Sequence, residues 1–276
     1  MLQVKNLELN DLLKMMGEAG KRLSEIGASE GAAGNISICV RKPIEIESVF
    51  PVIEVIELPQ AVPELAGATF LVSGSGTRLR ELGDEPEANI GCIVVSESGR
   101  SGKLYTSPKR RYERVTSEFN SHLAVHYDQM LTRNIDFHSI VHAQPPQLTY
   151  LSHIRRYQNE HYLNTHLLRW QPETIINLPE GIGFLPFQIP GSPELMKGTL
   201  ESLRSHRIVI WAKHGVMARS DVSVKRAADC VEYAETAARY EYFNLRMGEI
   251  GEGLTVEEIL AICKTFNIHQ KIFEAE

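Results

Sequence analysis

No stretch of this chain approaches the ~18 consecutive apolar residues that a membrane-spanning helix needs. The first residues, MLQVKNLELNDLLKMMGEAGKRL, lack the apolar core of a secretory leader. Cysteine is scarce. Cys39, Cys92, Cys230 and Cys263 stand far apart and form no C-x-x-C, which argues against a dithiol or zinc-ribbon motif and for reduced thiols in a cytoplasmic protein. A basic excess is also missing: 29 Lys and Arg face 35 Asp and Glu, for a net charge of −6. Binding of nucleic acid through bulk electrostatics is therefore not expected. The chain shows no internal repeat, no low-complexity tract and no G-x-x-x-x-G-K-[ST] loop for a nucleoside triphosphate.

What remains is an ordinary soluble composition, 43% hydrophobic and 23% charged over 276 residues, long enough for a sizeable core. Leu12, Leu13, Met16, Ala19, Leu23 and Ile26 recur at helical spacing and predict an amphipathic helix over residues 10–26, capped by Asn10 or Asp11 and ended at Gly27. In NISICV, Ile36, Ile38 and Val40 alternate with Ser37 and Cys39 and predict a strand. Residues 42–68 read as an irregular insertion with room for one strand. Phe70, Leu71 and Val72 end in SGSG, with a helix expected after it. GCIVVSES and GKLYTS read as two joined strands. TSEFNSHLAVHYDQML is a helix opened by Thr116 or Ser117, and HSIVHA is a strand.

Beyond the prolines, residues 145–170 read as helical, and TIINLP and GFLPF as short strands or extended pieces. SPELMKGTLESLRSH is a helix, and RIVIWAKHG is a strand running into a turn. A long helix from Asp221 and a short one from Thr255 follow. The interleaving lacks regular βαβ spacing. It predicts an α/β fold in a single domain over 1–276, with a mixed, mostly antiparallel central sheet flanked by helices.

Three places carry chemistry. Ser73-Gly74-Ser75-Gly76 ends a strand in unshielded N–H groups and hydroxyls, which suit either a tight turn or an anion. In IVHAQPP, His142 and Gln144 stand two apart at a strand end and share a face. His214 ends a second apolar strand, with Gly215 opening the turn. Imidazole, amide and imidazole from two strand ends make either an open metal site or exposed structural residues. Glu118 begins a helix, where an acid also suits the helix dipole. Glu118, His122 and His126 lie four apart on one face, as a second metal face or as packed groups behind the first. Lys109, Arg110, Arg111 and Arg114 form a solvated basic loop that can steer an anion.

AGNIS, TFLVSGSG, TSEF with its two histidines, IVHAQ, PETIINLPEGIGFLPF and IVIWAKHGV occur in one order along nearly the whole chain. This ordered set resembles the class II aldolase/adducin family, most closely its rhamnulose-1-phosphate aldolase branch, which the insertion at 42–68 also resembles. The resemblance implies a three-layer αβα fold and a cytoplasmic homotetramer. It also implies metal-assisted cleavage of a small phosphorylated sugar, a ketose 1-phosphate, to dihydroxyacetone phosphate and an aldehyde. His142 and His214 match two zinc-binding histidines, and Gln144 falls where the third stands. Glu118 matches the catalytic acid/base, and Glu173 a carboxylate that closes the metal site when substrate is absent. Asn35, Ser75, Gly76 and Ser117 match phosphate contacts, with Gly34, Gly74 and Thr116 beside them. Ala32 and Ala33 depart from the family's Asn and Gly there.

Gln144 offers a neutral amide oxygen at about the reach of an imidazole nitrogen, a harder donor than histidine. Three states follow from it: retained Zn²⁺ with help from Glu173, a preference for Mn²⁺, Mg²⁺ or Co²⁺, or a metal-poor, adducin-like binding protein. A dehydratase or epimerase on the same scaffold is the enzymatic alternative.

Overall fold

Helix α1 (Leu9–Glu25) forms along the apolar stripe, burying Leu9, Leu12, Leu13, Met16, Ala19 and Leu23. Asp11, expected as a cap, lies within the first turn, where its carboxylate accepts the Glu8 N–H at 3.3 Å. The computed structural model describes residues 8–248 and 250–274. The leader reading at the N-terminus and the end of the C-terminal segment fall partly outside them.

The strands are β1 (Asn35–Val40), β2 (Val52–Glu57), β3 (Thr69–Ser73), β4 (Ile90–Val95), β5 (Ser101–Thr106), β6 (Phe137–Ala143), β7 (Gly183–Leu185), β8 (Ile208–Trp211) and β9 (Gly215–Ser220). They make one sheet in the order β2-β5-β4-β3-β1-β6-β9-β8-β7. Among the described residues every pairing is antiparallel except β7 with β8. After α1 come α2 (Pro86–Asn89), α3 (Phe119–Thr132), α4 (Pro146–Leu151), α5 (Glu160–Leu167), α6 (Pro172–Asn177), α7 (Pro193–Ser205), α8 (Val224–Met247) and α9 (Val256–Thr265). Helices α1, α4, α5, α6, α8 and α9 build the core on one face of the sheet, and α3 and α7 cover the other. This is a single α/β domain in three layers, with a mixed, mostly antiparallel central sheet. No helix among the described residues is long and apolar enough to cross a membrane. The four cysteines are free and buried.

Several local expectations are corrected. TIINLP lies largely in helix α6, not in an extended piece: Pro172 preorganises its first turn, and Thr174 and Ile175 are buried. No long helix follows SGSG. The Thr77 Oγ1 donates to the Gly74 carbonyl at 2.8 Å and closes the turn, and only a single 3₁₀ turn, Leu79–Glu81, comes next. Residues 145–170 break into α4, a 3₁₀ turn and α5. The strand carrying His214 stops at Trp211. Ala212, Lys213 and His214 form the turn, with Lys213 in the left-handed region at φ 64°, and Gly215 starts β9 rather than the turn.

The topology brings together one set of strand ends. β1 begins at Asn35 directly opposite His142, near the end of β6. β3 ends at Ser73, whose Oγ accepts the Ile36 N–H at 3.0 Å. β9 begins beside Ala143. All these ends open toward the start of α3.

Candidate active site

Glu118, His142 and His214 meet at this point. Glu118 sits at the N-cap of α3, its N–H donating to the Thr116 Oγ1 at 3.3 Å. Its Oε2 lies 3.5 Å from His142 Nε2 and its Oε1 lies 3.5 Å from His214 Nε2. All three donor atoms fall within 4.8 Å of one another, and Glu118 is only 4% exposed. Trp211 packs behind both rings, its centroid 4.7 Å from that of His142 and 5.2 Å from that of His214.

His142 Nδ1–H donates to the Val216 carbonyl at 2.8 Å, which leaves the Nε2 lone pair facing the carboxylate. His214 is held neutral near pH 7. Burial, with the neighbouring His142, pulls its pKa down to about 4 against the pull of Glu118. Burial pushes the Glu118 carboxyl upward, but His142, the Asn35 N–H and His214 outweigh this and keep it below the usual carboxylate range. Two imidazole Nε2 atoms thus converge on a carboxylate. At 3.5 Å the contacts are too long for N–H···O bonds. Ligands bound to one ion at about 2.0–2.1 Å in tetrahedral geometry would stand about 3.4 Å apart. The donor set therefore fits a divalent cation.

The remaining expected residues divide. Asn35 Nδ2 donates to Glu118 Oε2 at 2.8 Å. Its Oδ1 is taken up by His122 Nε2 at 2.5 Å, so one amide N–H remains for any ligand. Gly34, at φ 84°, lies against the His142 carbonyl, where a Cβ would stand 2.8 Å from the oxygen. The Thr116 N–H donates to the Ser73 carbonyl at 3.1 Å and the Ser75 N–H to the Arg114 carbonyl at 2.8 Å. These bonds lay the segments bearing Ser75 and Gly76 beside those bearing Thr116 and Ser117. Ser117 and Gly76 are exposed, and Thr116 is buried.

Gln144 lies one residue beyond β6, its N–H donating to the Ala28 carbonyl at 2.7 Å and its side chain beside Gly215. Glu173 is exposed in the first turn of α6, outside the Glu118–His142–His214 cluster. An acid just after Pro172 is stabilised there by the helix dipole and by water. Sequence reasoning missed Ser37, His138, Trp211 and Glu235. Glu235 is buried on α8 and accepts the Gln147 and Leu148 N–H groups at 3.1 and 2.9 Å, fixing the turn after Gln144. Asn35 and Ser37, polar on one face of a buried strand, were the available signal for the groups behind Glu118.

Gly215 is required by close approach, since a Cβ there would stand 2.4 Å from the Ala143 carbonyl oxygen. Gly215→Ala is expected to push β9 off β6 and part His142 from His214. Metal affinity should fall by about 10–100-fold, and stability by roughly 1–3 kcal/mol. Metal titration and urea unfolding read the two effects. Unchanged values in both would show that the strand pair does not set the cluster.

The fold and the buried His/His/Glu cluster define a metal-dependent enzyme of the lyase type. The chain matches the model of the Class II Aldolase and Adducin N-terminal domain over residues 14–242, and it belongs to that family. It is 28% identical over 255 residues to a rhamnulose-1-phosphate aldolase of Bacteroides thetaiotaomicron, covering 92% of this chain and 93% of the relative. A rhamnulose-1-phosphate aldolase of Klebsiella pneumoniae (strain 342) is 30% identical over 215 residues, 77% of this chain and 76% of that protein. The structure of a sugar-phosphate aldolase from Thermotoga maritima superposes with a TM-score of 0.74 at 28% identity, covering 89% of this chain and 99% of that one.

Proposed function

We propose that the protein cleaves a ketose 1-phosphate of the rhamnulose-1-phosphate type to dihydroxyacetone phosphate and an aldehyde. The observation that carries this reading is the convergence of His142, His214 and Glu118 beside the turn built from residues 34–35, 73–76 and 115–117. The names of the relatives support the substrate class. His142 and His214 would hold the metal, with Gln144 as a further donor. We assign it as Zn²⁺, with Mn²⁺, Co²⁺ or Mg²⁺ as the ions a harder amide ligand favours. When bound, a divalent ion supplies Lewis acidity toward the substrate's carbonyl and neighbouring hydroxyl oxygens.

The chain's own residues supply position and proton movement. The Ser75, Gly76, Thr116 and Ser117 segments, with Gly34 and Asn35, would receive the phosphate and fix the C3–C4 bond near Glu118. As that bond breaks, its electron pair passes to the dihydroxyacetone phosphate half. The C4 hydroxyl loses a proton as the aldehyde forms, and C3 gains one. Glu118 moves that proton, so the exchange balances. By the same resemblance, a cytoplasmic homotetramer is the working form.

The test begins with metal content by plasma mass spectrometry on untagged protein purified without chelator, with Gln144→His alongside. The native protein is expected to carry stoichiometric metal and, loaded with it, to release dihydroxyacetone phosphate from rhamnulose 1-phosphate. Metal only in Gln144→His would mean that position 144 has switched the site off. Products that keep the carbon chain whole would turn the reading to a dehydratase or epimerase.

A further inference from the structure

Behind Glu118 runs a continuous line of buried polar side chains, of which the proposed reaction uses only the first, Asn35. Its direction follows from counting donors. An ionised carboxylate only accepts, so the amide of Asn35 must present Nδ2 to Glu118 Oε2, at 2.8 Å. This turns Asn35 Oδ1 toward His122 Nε2 at 2.5 Å, so His122 carries its proton on Nε2. His122 Nδ1 is then bare and accepts from the Ser37 hydroxyl at 2.6 Å. Ser37, its proton spent, accepts from His126 Nε2–H at 2.7 Å. His126 Nδ1 accepts in turn from His138 Nδ1–H at 2.8 Å. His138 Nε2 ends the line, buried and without a partner among the described residues. Ser37 and the three histidines are fully buried, and Asn35 nearly so.

Each link carries one proton, and none reverses unless all do. An amide does not pass a proton from its oxygen to its nitrogen readily, so Asn35 makes the line a holder and not a conductor. It also treats the two oxygens of Glu118 differently. Oε2 receives the Asn35 N–H. Oε1 accepts no hydrogen bond from the described residues and lies on the His214 side, 3.5 Å from Nε2.

We infer that His122, through Asn35 and backed by Ser37, His126 and His138, is a positioning residue that ties down Glu118 Oε2 and leaves Oε1 to exchange the proton with substrate. This rests on the reading of Glu118 as the acid/base of the cleavage reaction. The His122 side chain reaches Glu118 and the phosphate turn only through Asn35, one of whose N–H groups it holds on Oε2, so its effect should fall more on kcat than on KM.

The test has an arm that needs no activity. In ¹⁵N-histidine-labelled, metal-loaded protein, His122 and His126 are expected as Nε2–H tautomers and His138 as Nδ1–H. An Nδ1–H or doubly protonated His122 overturns the inference whatever the enzyme does. In the kinetic arm, His122→Leu removes the donor to Asn35. It is expected to lower kcat for ketose 1-phosphate cleavage by about 10–100-fold, with a smaller change in KM and metal content unchanged. His122→Gln, which places an amide N–H at the same reach, should restore most of the loss. Equal loss of kcat, metal and melting temperature in both variants would make His122 a packing residue and overturn the inference. Tautomers as assigned in a wild-type protein that cleaves no ketose 1-phosphate would overturn the function reading and the task given to Oε1, while leaving the line of bonds standing.

Discussion

Glu118→Gln is expected to cut turnover by about 10²–10⁴-fold, the range that a positioned general acid/base contributes, while the chain stays folded and metal stays bound. The amide keeps the shape of the carboxylate and removes its charge and its capacity to take a proton. The Asn35 N–H can still meet the amide oxygen, so the network behind it need not collapse. Loss of turnover with metal retained separates proton transfer from metal binding. Loss of both together would make Glu118 primarily a ligand, in keeping with its place 3.5 Å from both imidazoles. Full activity would end its assignment as acid/base. Turnover is read by release of dihydroxyacetone phosphate, and metal by mass spectrometry on the same preparation.

The second large effect is on stability in acid. Burial drives the pKa of His122 down to about 3 and holds His126 and His138 well below the usual imidazole range. Once unfolded, each returns to about 6.5. Below that pH the unfolded chain binds protons that the folded one refuses, so stability falls as pH falls. Each group contributes at most about 1.4 kcal/mol per pH unit, and the three together about 4 kcal/mol per pH unit. A domain with roughly 5–15 kcal/mol in hand is then exhausted within a few pH units. Urea midpoints between pH 7 and 4.5 should drop steeply, with and without chelator. His138→Phe, which removes one of the three, should make the slope shallower. A flat profile would mean that these rings protonate inside the fold.

Much of this site was legible in the sequence because it is built from strand ends. Apolar runs stop where side chains must reach solvent, so IVHA, IVIW and FLVS each point to a chemical residue near their last position. The mixed, mostly antiparallel sheet flanked by helices followed from the interleaving of elements, and the three-layer order from the family resemblance. What escaped was set by tertiary contacts. In β9 the residue Arg219 interrupts the apolar pattern, yet it is buried with its Nε donating to the Leu203 carbonyl at 2.6 Å. α6 carries β-branched Thr174 and Ile175, which locally favour a strand, and burial of that face makes it helical. For the same reason no local pattern could place Glu173: a six-residue helix goes where its packing sends it. The histidine line needed strands β1 and β6 and helix α3 to be superposed before Ser37 could be seen between two imidazoles.

The placing of the site on β1, β3, β6 and β9 also governs which internal motions can reach it. These strands are neighbours at the centre of the sheet, and backbone openings there cost nearly as much as unfolding the whole domain. The segment from Pro186 to Gly191 belongs to no strand or helix and carries exposed Phe187 and Ile189, yet it is tied to α3 through the Asn120 amide on the Gly191 carbonyl. Breathing of this segment is thus cheap and breathing beneath His142 is costly. Amide hydrogens around the imidazoles should be among the last in the protein to exchange with heavy water, and those of residues 186–191 among the first.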